Sequence, residues 1–304
     1  MRHRIEYVLF KLVAWCVLAL PLRAVQRLGS FIGRLSFHVL TKRRAVALDN
    51  LRHAFPEKSP EELLRIAKGS FRNYGITLLE FLWFPRLTHE RLEHLLRLKN
   101  IHLLKESYAL GKGMVMLSGH FGNWELIAFG VAHLTGLPIS IIVQTQSNEL
   151  FDRAINMLRC RLGNRAIPMG IAVREIVRTL QQGGVVAIAP DQSGPMEGVF
   201  VEFFGRNVAT HQGPAAFALK CNAPMQIGFL VRGSDGTYEM TLESVPAADL
   251  AGATEANILE LTRRHTAILE RYIRRYPDHW LWMHRRWKHT WESVQQEKLS
   301  AADV

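Results

Sequence analysis

The chain has 304 residues, 48% of them hydrophobic and 21% charged, which is enough for one large or two modest globular domains. Its three cysteines, Cys16, Cys160 and Cys221, are far apart and form no CxxC pair. We therefore expect reduced, buried thiols in a cytosol-facing protein, with no disulfide framework and no zinc site. Of the net charge of +11, residues 1–54 carry +8 and residues 263–288 carry +6, which indicates either nucleic acid or an anionic membrane as a partner.

The N-terminal segment combines apolar runs with basic residues. The run from Tyr7 to Leu22 has one charge, Lys11, and is shorter than the about 20 apolar residues that a membrane span needs. The next stretch places apolar residues at helical spacing, with Arg27 and Arg34 between them. We therefore predict that residues 5–41 form one or two helices that lie in, or dip through, the membrane interface. The alternative is a helix pair buried in a soluble core.

The rest of the chain changes character once. Residues 44–110 are predicted to be helical, with Ser59 as an N-cap and Pro60 at the first helical position. From residue 113, apolar runs rich in Val and Ile alternate with helical periods. We predict strands at 114–118, 139–143, 185–189, 225–231 and 238–242, and helices at 123–134, 148–162, 171–182, 213–221 and 254–275. This alternation predicts an α/β sheet with helices on its faces, followed by a polar tail at 293–304.

Two ionisable residues, His120 and Glu125, lie at the joint between the first of these strands and the next helix. Between them, Gly122 suits a tight turn and Asn123 suits a helix N-cap. Glu125 then falls in the first helical turn, where the helix dipole favours its ionised form. We expect the turn to bring Glu125 to one ring nitrogen of His120, which leaves the other nitrogen as a base. The alternative is a core histidine that a neighbour satisfies.

Other chemistries lack their motifs. No G-x-S-x-G elbow surrounds Ser118, and no His/Asn signature accompanies Cys160. No HExxH sequence and no cluster of His, Cys and Asp suggests a metal, and no cofactor is expected. The chemistry that remains is general-base catalysis, in which His120 activates a substrate hydroxyl for attack on an activated acyl group.

The segment SGHFGNWE resembles the HxxxxD/E motif of the glycerolipid acyltransferase superfamily. Within that superfamily the chain resembles the bacterial lipid A biosynthesis acyltransferases, the lauroyl/myristoyl transferase family, across nearly its whole length. Further matching segments are NLRHAFPE at 50–57, GGVVAIAPDQSG at 183–194, FFGR at 203–206 and WLWMHRRWK at 280–288. The resemblance implies a glycerolipid-acyltransferase-like mixed sheet flanked by helices, at residues 44–292, behind membrane-associated helices at 1–43.

The resemblance also implies an activity and a location. The enzyme would move a fatty acyl chain from acyl-carrier protein to a hydroxyl of a lipid A precursor, at the cytoplasmic face of the inner membrane. His120 would be the base, Glu125 the carboxylate that orients it, and Asp191 an acid at the same sheet edge. The alternative for Asp191 is a turn residue that caps the following loop.

Substrate contacts are implied for several further residues. Arg161 is the preferred match to an arginine of the family, ahead of Arg165, although both also suit a solvated helix face. Asn148 matches the family, whereas Gln144 stands where relatives carry arginine.

Basic residues nearer the C-terminus suit phosphate. Arg206 precedes a predicted helix start, and Arg285 and Arg286 lie among tryptophans in a segment that suits a lipid headgroup interface. Ordinary surface and core packing is the alternative for these residues. The helices at 71–84 and 126–134 are expected to wall an acyl groove.

Three functions compete. The first is a lipid A acyltransferase, and the second is an acyltransferase for a glycerophospholipid or a glycosylated phospholipid. The third is a non-catalytic basic protein that binds a membrane. Nucleic acid is disfavoured, because no binding module is recognisable and the basic residues sit beside apolar runs.

Overall fold

The computed structural model describes residues 1–302, without the side chains of Leu134, Leu162, Ile171 and residues 297–302. The helices are α1 (Arg2–Ala19), α2 (Leu22–Val39), α3 (Thr41–Ala54), α4 (Pro60–Trp83), α5 (His89–Leu95), α6 (Ile101–Ala109), α7 (Trp124–Thr135), α8 (Glu149–Arg159), α9 (Ala172–Gln181), α10 (Gly213–Cys221), α11 (Glu255–Arg275) and α12 (Trp291–Ala302). The strands are β1 (Leu96–Lys99), β2 (Met114–Leu117), β3 (Ile139–Val143), β4 (Arg165–Pro168), β5 (Val185–Ile188), β6 (Val199–Phe203), β7 (Arg206–Thr210), β8 (Met225–Arg232) and β9 (Tyr238–Ser244).

Seven strands form one mixed sheet in the order β1-β9-β8-β2-β5-β3-β4. The run β8, β2, β5, β3, β4 is parallel, and β9 pairs antiparallel with β8. All four residues of β2 are buried, as its uninterrupted apolar sequence predicts for a central parallel strand. The carboxyl ends of β2, β5 and β3 therefore lie side by side at one edge of the sheet.

The five predicted strands and the predicted α/β class are confirmed, but four strands were not predicted. Strands β1 and β4 lie at the two edges of the sheet and have four residues each. Their runs of apolar residues are therefore too short to predict a strand from sequence. Strands β6 and β7 form a separate hairpin. Its turn is Phe204-Gly205, with φ of 51° and 76°, which is the backbone of a tight two-residue hairpin.

The predictions for the Ser59 cap, the cysteines and the C-terminal tail have different outcomes. The Ser59 cap is confirmed, since its hydroxyl accepts from the Glu62 N–H at 3.3 Å ahead of Pro60. The cysteines are not all buried as predicted, because Cys16 and Cys160 are exposed. The predicted polar tail lies within α12 as far as Ala302, and residues 303–304 lie outside the described residues.

Helix α2 packs closely on α4 through glycine. A Cβ at Gly33 would lie 2.3 Å from the Phe71 carbonyl oxygen, and a Cβ at Gly75 would lie 2.4 Å from that of Gly29. These glycines let the backbones of α2 and α4 touch, and no larger residue would fit at this distance. The buried side of the pair includes Val25.

The opposite side of α1 and α2 is apolar and exposed. Trp15 is 71% exposed and Phe31 is 63% exposed, and further apolar residues on these helices share this surface. Within residues 1–302, none of the helices combines the length and the apolar character that crossing a membrane requires.

A buried carboxylate, that of Glu80 on α4, joins several elements. It accepts hydrogen bonds from Gln26 on α2 at 2.8 Å and from Asn123, at the start of α7, at 2.7 Å. Arg232 on β8 donates two more, at 2.9 and 3.1 Å, and the Tyr238 hydroxyl on β9 donates another. Glu80 is 2% exposed, so these donors replace the water that an ionised carboxylate would otherwise bind.

We expect Glu80→Ala to lower the free energy of unfolding by about 3–5 kcal/mol, because the variant leaves the Arg232 guanidinium buried without its anion. Urea unfolding followed by circular dichroism measures the change. Glu106→Ala removes an exposed carboxylate from α6 and should change stability by less than about 0.5 kcal/mol. A loss no larger in Glu80→Ala than in this control would show that the cluster contributes nothing.

Candidate active site

His120 and Asp191 meet at the carboxyl ends of two neighbouring parallel strands. His120 follows β2 and Asp191 follows β5, so the sheet brings together residues that are 71 positions apart. The Nδ1 atom of His120 lies 2.7 Å from Asp191 Oδ1, and the His120 backbone N–H donates to Oδ2 at 2.7 Å. This placement leaves Nε2 as the ring nitrogen that faces away from the carboxylate.

Trp280 completes the surroundings of the Asp191 carboxylate. Its indole N–H donates to Oδ2 at 2.9 Å, and the Asp191 side chain is 2% exposed. Burial alone would raise the pKa of Asp191, but the His120 charge and these hydrogen bonds outweigh it and hold the pKa at about 2. Burial lowers the pKa of His120, and the Asp191 charge outweighs that effect, so the pKa of His120 is raised above its ordinary value.

The turn that presents His120 has the local features predicted from sequence. Gly122 has φ of 58°, and a Cβ there would lie 1.7 Å from the Leu230 carbonyl oxygen. Asn123 caps α7 by accepting from the Leu126 N–H at 3.1 Å. The C-terminal segment clamps the same turn, since the Gly122 N–H donates to the His279 carbonyl at 2.8 Å.

Glu125 does not hold the His120 ring as predicted. Its carboxylate instead accepts two hydrogen bonds from Arg159, Nε to Oε2 at 2.9 Å and a terminal nitrogen to Oε1 at 2.5 Å. A bidentate guanidinium is a stronger partner for a carboxylate than an imidazole is. The ring receives its carboxylate from the neighbouring strand, through Asp191, rather than from the next helix.

Arg159 is a site residue that sequence reasoning missed. It ends α8, and its inward face continues the spacing of Phe151 and the buried Ile155, four residues apart. That periodicity could have identified it. The two arginines proposed in its place lie elsewhere: Arg161 is exposed beside the Pro85 carbonyl at 3.4 Å, and Arg165 is paired with Glu175 at 2.6 Å.

A cavity of about 940 Å³ opens above the His120 ring. Glu125 and Arg159 line it, as does Gln192, whose Nε2 lies 3.5 Å from His120 Nε2. Its apolar lining residues are Ile127, Ala128, Ile141, Ile142, Met169, Ala172, Val173, Ile176, Ala187 and Phe217. The cations Arg43, Arg285 and Lys288 line it as well. Both an apolar chain and an anionic group would find complementary surface there.

The expected acyl-groove walls are only partly correct. Ile127 and Ala128 of the predicted helix at 126–134 line the cavity, but no residue of 71–84 does. Gly130 faces away, since a Cβ there would lie 2.5 Å from the Leu96 side chain. The sheet and α9 supply most of the apolar surface instead.

The loop before α8 lines the cavity, but not through Asn148, the residue predicted there. Gln144 and Gln146 line the cavity. Asn148 is 6% exposed and caps α8, with its amide donating to the His3 carbonyl and to Glu6, both at 3.0 Å. Its hydrogen bonds thus join α8 to α1 and leave it outside the cavity.

The three arginines that were predicted to bind phosphate, Arg206, Arg285 and Arg286, lie in different environments. Arg206 is exposed at the hairpin turn, seven residues before α10 begins at Gly213, so it does not stand at a helix start. Arg286 is 1% exposed and donates to the Ala209 carbonyl at 2.8 Å and to Thr210 at 2.7 Å, and burial lowers its pKa to about 10. Only Arg285 of the three lines the cavity.

Two tryptophans of the C-terminal segment are packed in the core rather than exposed at a headgroup interface. Trp280 is 2% exposed and Trp282 is fully buried, whereas Trp291 is half exposed. Among the residues described, no group of three His, Cys, Asp or Glu side chains is arranged to hold a metal ion.

Comparison with known proteins identifies the family. The profile of the family described as bacterial lipid A biosynthesis acyltransferase matches residues 1–289. The chain is therefore an acyltransferase by class. Within that class it belongs to the bacterial lipid A biosynthesis acyltransferase family.

Individual relatives are similar over most of their length. The lipid A biosynthesis palmitoleoyltransferase of Escherichia coli (strain K12) is 29% identical over 287 residues, 91% of this chain and 89% of the relative. The lipid A biosynthesis lauroyltransferase of the same strain is 28% identical, over 93% of this chain and 91% of its own. A phosphatidylinositol mannoside acyltransferase of Mycobacterium tuberculosis (strain CDC 1551 / Oshkosh) is 23% identical over 78% of each chain.

We expect Asp191→Asn to lower the rate of acyl transfer by about 10²–10⁴-fold, because the ring loses the acceptor that fixes Nδ1–H. The pH–rate profile should also move. The Asp191 carboxylate raises the His120 pKa, so its loss lowers that pKa and shifts the acid limb of the profile to lower pH. Initial rates between about pH 5 and about pH 9 measure the limb.

The control is Asp249→Asn, which removes an exposed carboxylate that pairs with Arg264. Its acid limb should match that of the unmodified protein. An unmoved limb in Asp191→Asn would mean that another group sets the pH dependence.

Proposed function

We propose that the protein transfers a fatty acyl chain from the thioester of acyl-carrier protein to a hydroxyl of a lipid A precursor, with His120 as general base. The pairing of His120, which lines the cavity, with the buried Asp191 carries this proposal. Family membership supports the acyl transfer and the lipid A pathway. The cavity volume of about 940 Å³ is at the upper end of the range typical of ligand sites.

The pair supplies the base in the required form. Because Nδ1–H donates to Asp191, the Nε2 lone pair faces the cavity and can take a proton from the acceptor hydroxyl. The hydroxyl oxygen then bonds to the acyl carbon, the carbon–sulfur bond breaks, and the proton passes from Nε2 to the departing thiolate. Asp191 stabilises the imidazolium that forms between these two proton transfers.

Glu125 acts in this proposal through Arg159. The bidentate ion pair fixes the guanidinium at the cavity wall, where its side chain is 19% exposed. Arg159 is thereby available to orient a polar part of the substrate while Glu125 limits its movement. Glu125 is a positioning residue rather than the partner of the histidine ring.

The lining of the cavity contains partners for both parts of an acylated, phosphorylated acceptor. The apolar residues of β3, α9 and α10 suit an alkyl chain, at about 0.8 kcal/mol for each buried CH₂. Arg43, Arg285 and Lys288 suit phosphate groups. This combination favours an amphiphilic phosphorylated acceptor over a neutral one.

A glycosylated phospholipid is the second candidate acceptor. The similarity to a phosphatidylinositol mannoside acyltransferase favours it, as does Gln144, which lines the cavity where relatives carry arginine. The reaction at His120 would be the same, and only the headgroup contacts would differ.

We also propose that the exposed apolar surface of α1 and α2 lies in the interface of the cytoplasmic leaflet of the inner membrane. Apolar side chains such as Trp15 and Phe31 would enter the acyl boundary, and Arg27 and Arg34 on α2 would face anionic headgroups. A lipid acceptor could then reach the protein from the membrane that holds it.

The reaction is tested with purified protein, an acyl-carrier-protein thioester and three separate acceptors: a Kdo-bearing lipid A precursor, a lysophospholipid and a glycosylated phospholipid. We expect acylation of the lipid A precursor. His120→Ala should lower turnover by about 10²–10⁴-fold without a large change in melting temperature.

His102→Ala, at an exposed position of α6, is the matched control and should keep full activity. Acylation of the glycosylated phospholipid alone would select the second candidate. Near-normal turnover in His120→Ala would refute the base, and transfer from a coenzyme A thioester but not from acyl-carrier protein would refute the donor.

The membrane proposal is tested by Trp15→Glu/Phe31→Glu, in which two exposed apolar side chains become charged. We expect the variant to lose sedimentation with anionic vesicles in high salt and to keep part of it in low salt, where basic residues contribute about 1 kcal/mol each. Leu110→Glu/Leu259→Glu makes the same kind of change at exposed sites outside α1 and α2 and should sediment normally. Equal sedimentation of both variants in high salt would contradict the proposal.

A further inference from the structure

We propose that Gln192 is a further catalytic residue, whose side-chain amide donates a hydrogen bond to the acyl carbonyl oxygen as negative charge develops there. This inference rests on the proposed acyl transfer and adds a group that stabilises the transition state. Neither His120 nor Asp191 can donate this hydrogen bond. His120 transfers the proton of the acceptor hydroxyl, and the Asp191 carboxylate only accepts hydrogen bonds.

The position of Gln192 is set by its neighbour. Asp191 is held by the backbone N–H and ring of His120 and by the Trp280 indole, so the main chain that leads into Gln192 is fixed. Gln192 Nε2 then lies 3.5 Å from His120 Nε2, and both side chains line the cavity. Asp191 and Gln192, which are consecutive in the chain, therefore contact Nδ1 and Nε2 of the same imidazole ring.

Two other donors that line the cavity already make hydrogen bonds. Arg159 donates to both oxygens of Glu125 and to Asn156. The Ser118 hydroxyl lies 2.9 Å from the Gly228 carbonyl oxygen. Among the cavity-lining side chains that the structure describes, Gln192 is the donor within hydrogen-bond distance of Nε2.

The contact at 3.5 Å is at the long limit for a hydrogen bond, so it is weak and readily exchanged. When the acceptor hydroxyl takes its place against Nε2, the amide N–H is released toward the thioester. As the oxygen–carbon bond forms, the carbonyl electrons move onto oxygen, and the amide N–H stabilises them. The carbon–sulfur bond then breaks, and the proton that His120 took passes to the thiolate. One such donor is worth about 10²–10³-fold in kcat.

The experiment compares Gln192→Leu, Gln192→Asn and Gln192→Glu with the unmodified protein, using an acyl-carrier-protein thioester and the acceptor that the unmodified protein acylates. We expect Gln192→Leu to lower kcat by about 10²–10³-fold with little change in KM, because its shape is kept and its donor is lost. Gln192→Asn keeps an amide and should recover part of kcat.

Gln192→Glu supplies a readout that a packing role would not move. A carboxylate beside Nε2 raises the His120 pKa, so the acid limb of the pH–rate profile should shift to higher pH while kcat falls. Gln182→Leu, at an exposed glutamine just beyond α9, is the control and should match the unmodified protein.

A kcat within about threefold of normal in Gln192→Leu, or a loss confined to KM, would overturn the inference. If Gln192→Leu does not fold, as judged by circular dichroism, Gln192→Glu decides: a kcat within about threefold of normal together with an unmoved acid limb would overturn the inference. The two proposals fail separately: an active protein that needs His120 but not Gln192 refutes only this inference. An unmodified protein that transfers no acyl chain refutes the proposed function and this inference with it.

Discussion

The site depends on the buried carboxylate of Asp191. An ionised carboxylate removed from water costs several kcal/mol unless donors replace the solvent, and here three donors do so. They come from the turn after β2 and from Trp280 near the C-terminus, so a single anion joins two distant parts of the chain. The orientation of His120 and the packing of Trp280 therefore depend on the same carboxylate.

The cavity beside this pair is lined by both apolar and cationic side chains. Strands β3 and β5 and helix α9 supply much of the apolar lining, and three of the cations, Arg43, Arg285 and Lys288, come from α3 and the C-terminal segment. Basic residues from both charged ends of the sequence are thereby brought to one cavity. Segregation along the chain, which composition alone could not interpret, becomes a local electrostatic feature only after folding.

How much the sequence could predict depended on the range of the interaction. The central strands, the Ser59 cap and the Gly122-Asn123 turn were predictable, because each follows from residues within a few positions of one another. The partner of His120 was not: Glu125 is near in sequence, but Asp191 is placed by the pairing of β2 with β5. Arg159 was missed for a related reason, since its partner is 34 residues away.

The Glu80 cluster has a mechanical consequence. Gln26 on α2 and Asn123, which starts α7, donate to the same buried carboxylate, and glycine leaves no gap between α2 and α4. Tilting α2 would break one of these bonds or drag α4 and the active-site turn along with it. Helix α2 and the active-site turn are thus held in one arrangement, so the surface on which α2 rests also sets the angle at which the cavity meets that surface.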